Sequence, residues 1–440
     1  VLLVGLIISL GRVPEADAGI YYADGEVTYK EYWVNHNQFT GGCTPDGLPT
    51  NPLGSFYSEP EGLNKCPKTM SLTIPDNLTN ALRAEIYVDM WRTDDRVSPR
   101  LRINNLPTVY QPPRGYDWSR TPWVIDVPLG SLMGGSSNTL LFWAEFNKYH
   151  IYDVAVRIYF DDTHPLLLPS GAPVSAVDGE LVSISDDTLN VDIPADTGGR
   201  LSVNNDQLLL KANVGSGAKV VEFHAFYEGY DDDSDGVRHD WHNLNHNNWN
   251  PGGKSENPDK LGSTINHIGN VKAPSGGGQV STQWKLPYIV NQSGVRFKIR
   301  IVDENGVVRE AAGGVTPEYS LVRSYPVVYY TMPNFDDFGL HMGGSRPDAV
   351  SYTFPLPTDI DLSLYEKAYL LGAYWKKPQY SLNGSKPQSA NPGDEVMLGV
   401  RELPNMSLLL PGDNTLNFVY GSGTGAAVEH PGPMIVLKGK

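Results

Sequence analysis

Ile103-Asn104-Asn105, then a Gly134-Gly135-Ser136 turn, then Asn138-Thr139-Leu140-Leu141-Phe142: this stretch is written a second time in the chain. The second copy reads Leu382-Asn383-Gly384, Pro411-Gly412-Asp413 and Asn414-Thr415-Leu416-Asn417-Phe418. The paired asparagines stand 34 positions apart in one copy and 31 in the other. Upstream of each lies an apolar run ending in tryptophan, Ala84 to Trp91 and Ala368 to Trp375. Before those come Leu72-Thr73-Ile74-Pro75 and Tyr352-Thr353-Phe354-Pro355. Four landmarks in the same order mark an internal duplication, which must be settled before any other feature is interpreted. Working outward, the flanking runs alternate: Leu140, Phe142, Ala144 and Phe146 fall on one face, Leu141, Trp143, Glu145 and Asn147 on the other. That period of two belongs to half-buried strands.

The chain therefore reads as all-β, with two related β-sandwich or jelly-roll units flanking an immunoglobulin-like sandwich. Its 440 residues exceed one ordinary core, and roughly 100–200 residues per domain gives about three. With 45 Gly, 34 Pro and twice as many Tyr as Phe, the composition suits short strands joined by turns. The expected boundaries are 1–18 for a signal-peptide remnant or an ordered N-terminal strand, 19–165 for the first jelly roll, 166–324 for a linker and the Ig-like unit, and 325–440 for the second jelly roll. Residues 19–70 show no sustained period and read as a decorated edge.

A net charge of −16 argues against nucleic acid, which needs a clustered positive footprint. The nearly apolar Val1 to Leu10, followed by Ala16-Asp17-Ala18, resembles the apolar region and cleavage site of an export signal. It is too short to cross a bilayer, which takes about 20 apolar residues. Retained, the same segment would be a strand able to pair with a neighbouring subunit. In an exported chain the two cysteines, Cys43 and Cys66, suggest a disulfide, with two free thiols as the alternative. Four N-x-S/T sequons stand at Asn77, Asn291, Asn383 and Asn405.

The order of a Trp-ending strand, Ile103-Asn104-Asn105, Ile125-Asp126-Val127-Pro128 and Asn138-Thr139-Leu140-Leu141-Phe142 resembles the galactose-binding-like jelly rolls. These occur in glycoside hydrolases and as carbohydrate-binding modules. The middle stretch is similar to Ig-like modules of secreted multidomain proteins. The resemblance implies sugar binding and supplies no catalytic motif.

Three constellations carry chemistry. Asp231-Asp232-Asp233-Ser234-Asp235-Gly236 places carboxylates at alternate loop positions, a pattern that wraps a hard cation. It predicts structural calcium on Asp231, Asp233, Asp235, the Val237 carbonyl and Asp240, against a plain solvated acidic turn. Position 12 holds His242 where an EF-hand has Glu, so a non-EF loop is implied. Five of the ten histidines lie between His224 and His267. His239, His242 and His246 are either transition-metal ligands or polar loop residues bonding one another. Sugar recognition needs flat rings with polar groups beside them. Trp143, Glu145, Asn147, Arg157 and Tyr159 offer one such set if their two runs are neighbours, and Tyr116 and Trp118 offer another; packing on an adjacent unit is the alternative for both.

No nucleophile elbow, Walker loop or zincin helix is present. The expectation is a secreted, non-catalytic protein that binds polysaccharide or glycoprotein glycans. A self-assembling subunit of an extracellular filament or surface layer is the alternative; a polysaccharide lyase, with Tyr149, His150 and Arg157 as a candidate set, or a glycoside hydrolase comes third.

Overall fold

The computed structural model describes residues 27–34, 39–40, 56–58, 68–91, 99–111, 120–144, 149–186, 191–204, 207–226, 267–286, 291–310, 316–331, 340–343, 348–375, 377–390, 397–420 and 426–440. These residues are strands and turns, with brief 3-10 turns between them. The fold is all-β, as the alternation requires. Leu140 and Phe142 are buried while Leu141 and Trp143 on the opposite face are partly open.

Two sandwiches share one topology. In the first, Lys68–Ile74 pairs with Ser136–Ala144, which pairs with Pro99–Ile103 and then Val109–Tyr110. Facing them, Val27–Trp33 pairs with Tyr149–Phe160, then Arg83–Trp91, then Arg120–Val127. In the second, Ala349–Leu356, Gly412–Tyr420, Pro378–Leu382 and Gln388–Ser389 follow in the same order. Their facing sheet runs Val327–Thr331, Ala426–Gly439, Tyr365–Trp375 and Met397–Glu402. Each sandwich closes over its own apolar cluster.

The repeated asparagines explain why the motif recurs. Asn104 and Asn383 both adopt left-handed backbone, φ 47° and 48°, and each is followed by a second positive-φ residue, Asn105 or Gly384. Leu106 N–H and Ser385 N–H donate back to Ile103 and Leu382 carbonyls, closing the tight turn that two left-handed residues permit. Asn104 Nδ2 donates to Ser131 O and to Asn138 Oδ1, both at 2.8 Å, and Asn104 Oδ1 accepts from Thr139 N–H at 2.7 Å. Asn383 repeats this with Leu408 O, Asn414 Oδ1 and Thr415 N–H, each at 2.7 Å. Asn138 and Asn414 are wholly buried and close their own turns through Met133 and Leu410. Each corner thus staples a hairpin turn to the end of a 3-10 turn, Leu129–Ser131 or Met406–Leu408. No other side chain offers a donor and an acceptor at that length with tolerance for left-handed backbone.

Between them lies an Ig-like sandwich. Val191–Pro194, Gly179–Asp186, Gln207–Val214 and Gly278–Lys285 form one sheet. The other holds Gly199–Val203, Tyr319–Arg323, Gln292–Asp303, Ala218–Phe226 and His267–Lys272. The hairpin expected at Asp303-Glu304-Asn305-Gly306 is present, with Gln292–Asp303 returning as Val307–Glu310. Asp303 Oδ1 accepts from Asn305 and Val307 N–H, and Gly306 sits at φ 77°.

One expectation is overturned. Val27–Trp33, expected to lie in an irregular edge, is an interior strand. It pairs with Tyr149–Phe160 on one side and Val307–Glu310 on the other. The first and middle sandwiches consequently share one eleven-stranded sheet. Both cores lie on the same face of it, since Lys30 and Tyr32 fall on the side of Val307 and Ile301. The third sandwich joins the middle one differently: Leu371, Met434 and Val436 enter the middle apolar cluster.

Candidate functional site

The outer face of the first sandwich's smaller sheet presents a flat ring beside guanidinium groups. Trp143 lies directly opposite Arg100, and the neighbouring row across the sheet runs Thr69, Leu141, Arg102, Val109. Pro99–Ile103 folds as a strand because Leu101 and Ile103 enter the core, which turns Arg100 and Arg102 outward. The Arg102 guanidinium carbon stands 5.3 Å from the Trp143 ring centroid, within cation–π range. Such contact holds the indole against the sheet. Thr69, Ser71, Thr73, Ser137 and Thr139 extend the face with hydroxyls, and Thr73 and Ser137 bond each other at 3.0 Å.

The duplication supplies an internal comparison. Asn138 and Asn414 align one strand and Asn104 and Asn383 the other, so Leu141 and Trp143 correspond to Asn417 and Val419, and Arg100 and Arg102 to Gln379 and Ser381. The same backbone forms in both copies, so the fold does not require the tryptophan or the arginines.

The face of the shared sheet turned away from both cores carries a second cluster. Neighbouring strands contribute Glu85, Arg157, Glu31, Glu310, Arg300, Lys298, Glu222 and His224, all buried. Arg157 Nε donates to Glu31 Oε1 at 2.7 Å. Arg300 stands 2.9 Å from both Glu31 and Glu222, and Lys298 stands 2.9 Å from Glu310. Tyr29 donates to Glu310 at 2.9 Å, and Tyr159 to Glu85 at 2.6 Å. Burial works against ionised Glu31, but Arg300 and Arg157 overcome it and hold the carboxyl below its usual range. Glu310 is lowered in the same way by Lys298 and Arg300. For Glu222 burial prevails over Arg300, pushing the carboxyl up to about 8. Burial also pushes Lys298 down to about 8 against the pull of Glu310. Glu31 and Glu310 are therefore ionised against Arg157, Arg300 and Lys298, while Glu222 holds its proton up to about pH 8. A sealed, paired set of this kind joins strands.

These geometries revise the sequence expectations. Trp143 and Arg157 do not share a surface. Successive runs cross from one sheet of the sandwich to the other, so Ser136–Ala144 and Tyr149–Phe160 lie in opposite sheets. Arg157 is 4% exposed, and both it and Tyr159 are engaged by carboxylates. Arg157 also lies seven strand positions from His150, about 23 Å along an extended strand, so no Tyr149, His150 and Arg157 set forms. Glu145, Asn147, Tyr116 and Trp118 lie outside the described residues. So do the calcium loop at Asp231, Asp233, Asp235, Val237 and Asp240, the histidines His239, His242 and His246, and the Cys43 and Cys66 pair. Among the described residues no group of three or more His, Cys, Asp or Glu is placed to hold a metal ion. No described helix is long and apolar enough to cross a membrane. Of the sequon residues, Asn383 uses its amide nitrogen in the corner, Asn405 caps the Met406–Leu408 turn, Asn77 accepts from Thr79, and Asn291 accepts from Arg323 N–H.

The fold and this face define a multi-sandwich β protein with an aromatic–guanidinium surface. No protein-family model matches the chain, and no curated protein matches it. Among solved structures it is similar to a β-porphyranase of glycoside hydrolase family 86 from the human gut bacterium Bacteroides plebeius. That similarity has 13% identity, covers 54% of this chain and 37% of that one, and has a TM-score of 0.19. It is also similar to a β-D-glucuronidase of Dictyoglomus thermophilum, at 10% identity, with 74% of this chain and 49% of that one covered and a TM-score of 0.21. A Bifidobacterium dentium β-glucuronidase complexed with coumarin-3-O-glucuronide gives 11% identity, 74% and 52% coverage and a TM-score of 0.21. The chain spans about half or less of the length of these structures.

Proposed function

We propose that the protein is a non-catalytic glycan-binding protein whose first sandwich holds saccharide on the Trp143 face. The observation that carries this is the Trp143 ring, stacked with Arg102 on a partly open sheet face and replaced by Val419 in the duplicate copy. Pyranose rings present flat C–H faces that pack on such an indole, while neighbouring hydroxyl and guanidinium groups bond the sugar hydroxyls. A binding role is favoured over hydrolysis because Glu31, Glu222 and Glu310, the carboxylates clustered on the shared sheet, are sealed from solvent and tied to cations. A glycosidase pair has to reach both sides of a substrate bond.

The test is a glycan array followed by titration calorimetry on the full chain and on Trp143→Ala. Saccharide binding that weakens about tenfold or more in the variant, about 1.4 kcal/mol, is the expected result. Equal binding by both proteins would refute the assignment of this face.

A further inference from the structure

We infer that the Trp143 face selects anionic saccharide, bearing carboxylate or sulfate, a conclusion that rests on the glycan-binding reading above. The chain carries a net charge of −16, so a polyanion approaching it is repelled unless local cations intervene. Here two guanidiniums are set at alternate positions of one strand, both on the face of the ring. No carboxylate among the described residues pairs with Arg102, whereas Arg83, Arg157, Lys298 and Arg300 each have one. The Arg102 Nε is buried and has no hydrogen-bond partner among the described residues. Among those residues Arg102 meets the Trp143 ring and no carboxylate that would offset its charge. A guanidinium in that state pairs with carboxylate or sulfate oxygens through parallel N–H donors.

The duplicate copy argues against a structural need for this charge. At the same two backbone positions it carries Gln379 and Ser381, both neutral, beside Asn417 and Val419. Neutral sugar is served by amides and hydroxyls of that kind. Placing two arginines and a tryptophan there adds charge complementarity and a stacking plane together.

The experiment is affinity electrophoresis of the full chain through native gels containing polygalacturonate, κ-carrageenan, or a neutral galactan, at about 50 and 300 mM NaCl. The proposal expects retardation in an anionic gel, weaker at the higher salt because charged contacts are screened. It also expects about a tenfold or greater loss of affinity in the double variant Arg100→Gln, Arg102→Ser. Those residues already occupy the equivalent backbone in the third sandwich, which keeps the variant foldable, and the salt dependence of the unaltered protein needs no variant at all. Retardation by polygalacturonate alone assigns carboxylate as the source of the charge, by carrageenan alone sulfate. Salt-independent retardation in the neutral gel, lost in Trp143→Ala and unchanged in the arginine double variant, overturns the anionic selectivity while leaving the glycan face standing. Passage of all proteins unretarded through every gel defeats the glycan reading itself.

Discussion

Replacing Asn104 by aspartate is the sharpest perturbation of the fold, because it changes one NH2 to oxygen and leaves shape untouched. In Asn104→Asp one oxygen still accepts from Thr139 N–H. The other occupies the place of Nδ2, 2.8 Å from Ser131 O and 2.8 Å from Asn138 Oδ1. Two hydrogen bonds worth about 1 kcal/mol each are lost, and two acceptors are left facing a carboxylate at about 1–3 kcal/mol apiece. The sum is about 4–8 kcal/mol. Asn138 is wholly buried, so water does not replace the missing donor. Asn383→Asp meets the same situation with both contacts at 2.7 Å, and its cost matches that of the first variant to within about 2 kcal/mol. Three sandwiches in one chain need not unfold in a single step, so the assay is residue-resolved hydrogen exchange. The Thr139 and Thr415 amides, which donate to the two asparagines, report each corner separately. Asn104→Asp is expected to remove protection at Thr139 and spare Thr415, and Asn383→Asp to do the reverse. Acidification should recover part of the loss, since a protonated carboxyl donates one of the two missing bonds. An aspartate variant that costs under about 1 kcal/mol would refute the corner mechanism.

Two further outcomes follow from the buried charged row. Stability should pass through a minimum near pH 8: Glu222, raised from 4.5 to about 8, makes the folded state bind the extra proton and lose stability as pH climbs between those values, while Lys298, lowered from 10.5 to about 8, restores stability from there upward. Glu222→Gln should abolish the falling limb in urea denaturation from pH 5 to 8, and an unchanged slope would contradict the assignment. Glu31→Gln should cost about 3–5 kcal/mol by leaving two buried guanidiniums short of a partner, whereas Glu402→Gln, which breaks the exposed, solvent-screened pair with Lys367, should leave the midpoint nearly unchanged. Comparable midpoints for those two variants in the same denaturation experiment would sink the distinction.

The corners and most strands were legible because they rest on local requirements. Two asparagines flanking a turn, with alternating Leu140 and Phe142 behind them, leave few conformations that satisfy their amides. Val27–Trp33 was hidden for the opposite reason. Tyr29, Glu31 and Trp33 alternate with Lys30, Tyr32 and Val34, and the side chains of both sets are largely buried, so the contrast between wet and dry faces that marks a strand is missing. Charge misled in the same way at Arg157, where a guanidinium suggested a surface and the partner that buries it, Glu31, is 126 positions away. Trp143 is legible from its alternation with Phe142 and Ala144, whereas its neighbours Arg100 and Arg102 lie on a short strand with a weaker period. The signal existed: they alternate with Leu101 and Ile103 immediately before Asn104, and aligning the two copies sets them against Gln379 and Ser381.

The two ways of attaching a sandwich to the middle unit solve different problems. The third sandwich contributes Leu371, Met434 and Val436 to the middle apolar cluster. Apolar contact is non-directional and tolerates small shifts. The first sandwich instead shares a strand, and a shared strand must be held in register, because a slip of one residue exchanges its two faces. Tyr29 and Trp33 on one face and Tyr32 and Val34 on the other are similar enough that apolar burial alone specifies that register weakly. Glu31 breaks the degeneracy. In the observed register it meets Arg157 and Arg300 together; shifted by one, it would enter the apolar core while Lys30 took its place against two guanidiniums. An unpaired buried charge costs several kcal/mol, so the ionic row rejects the wrong pairing more strongly than it rewards the right one.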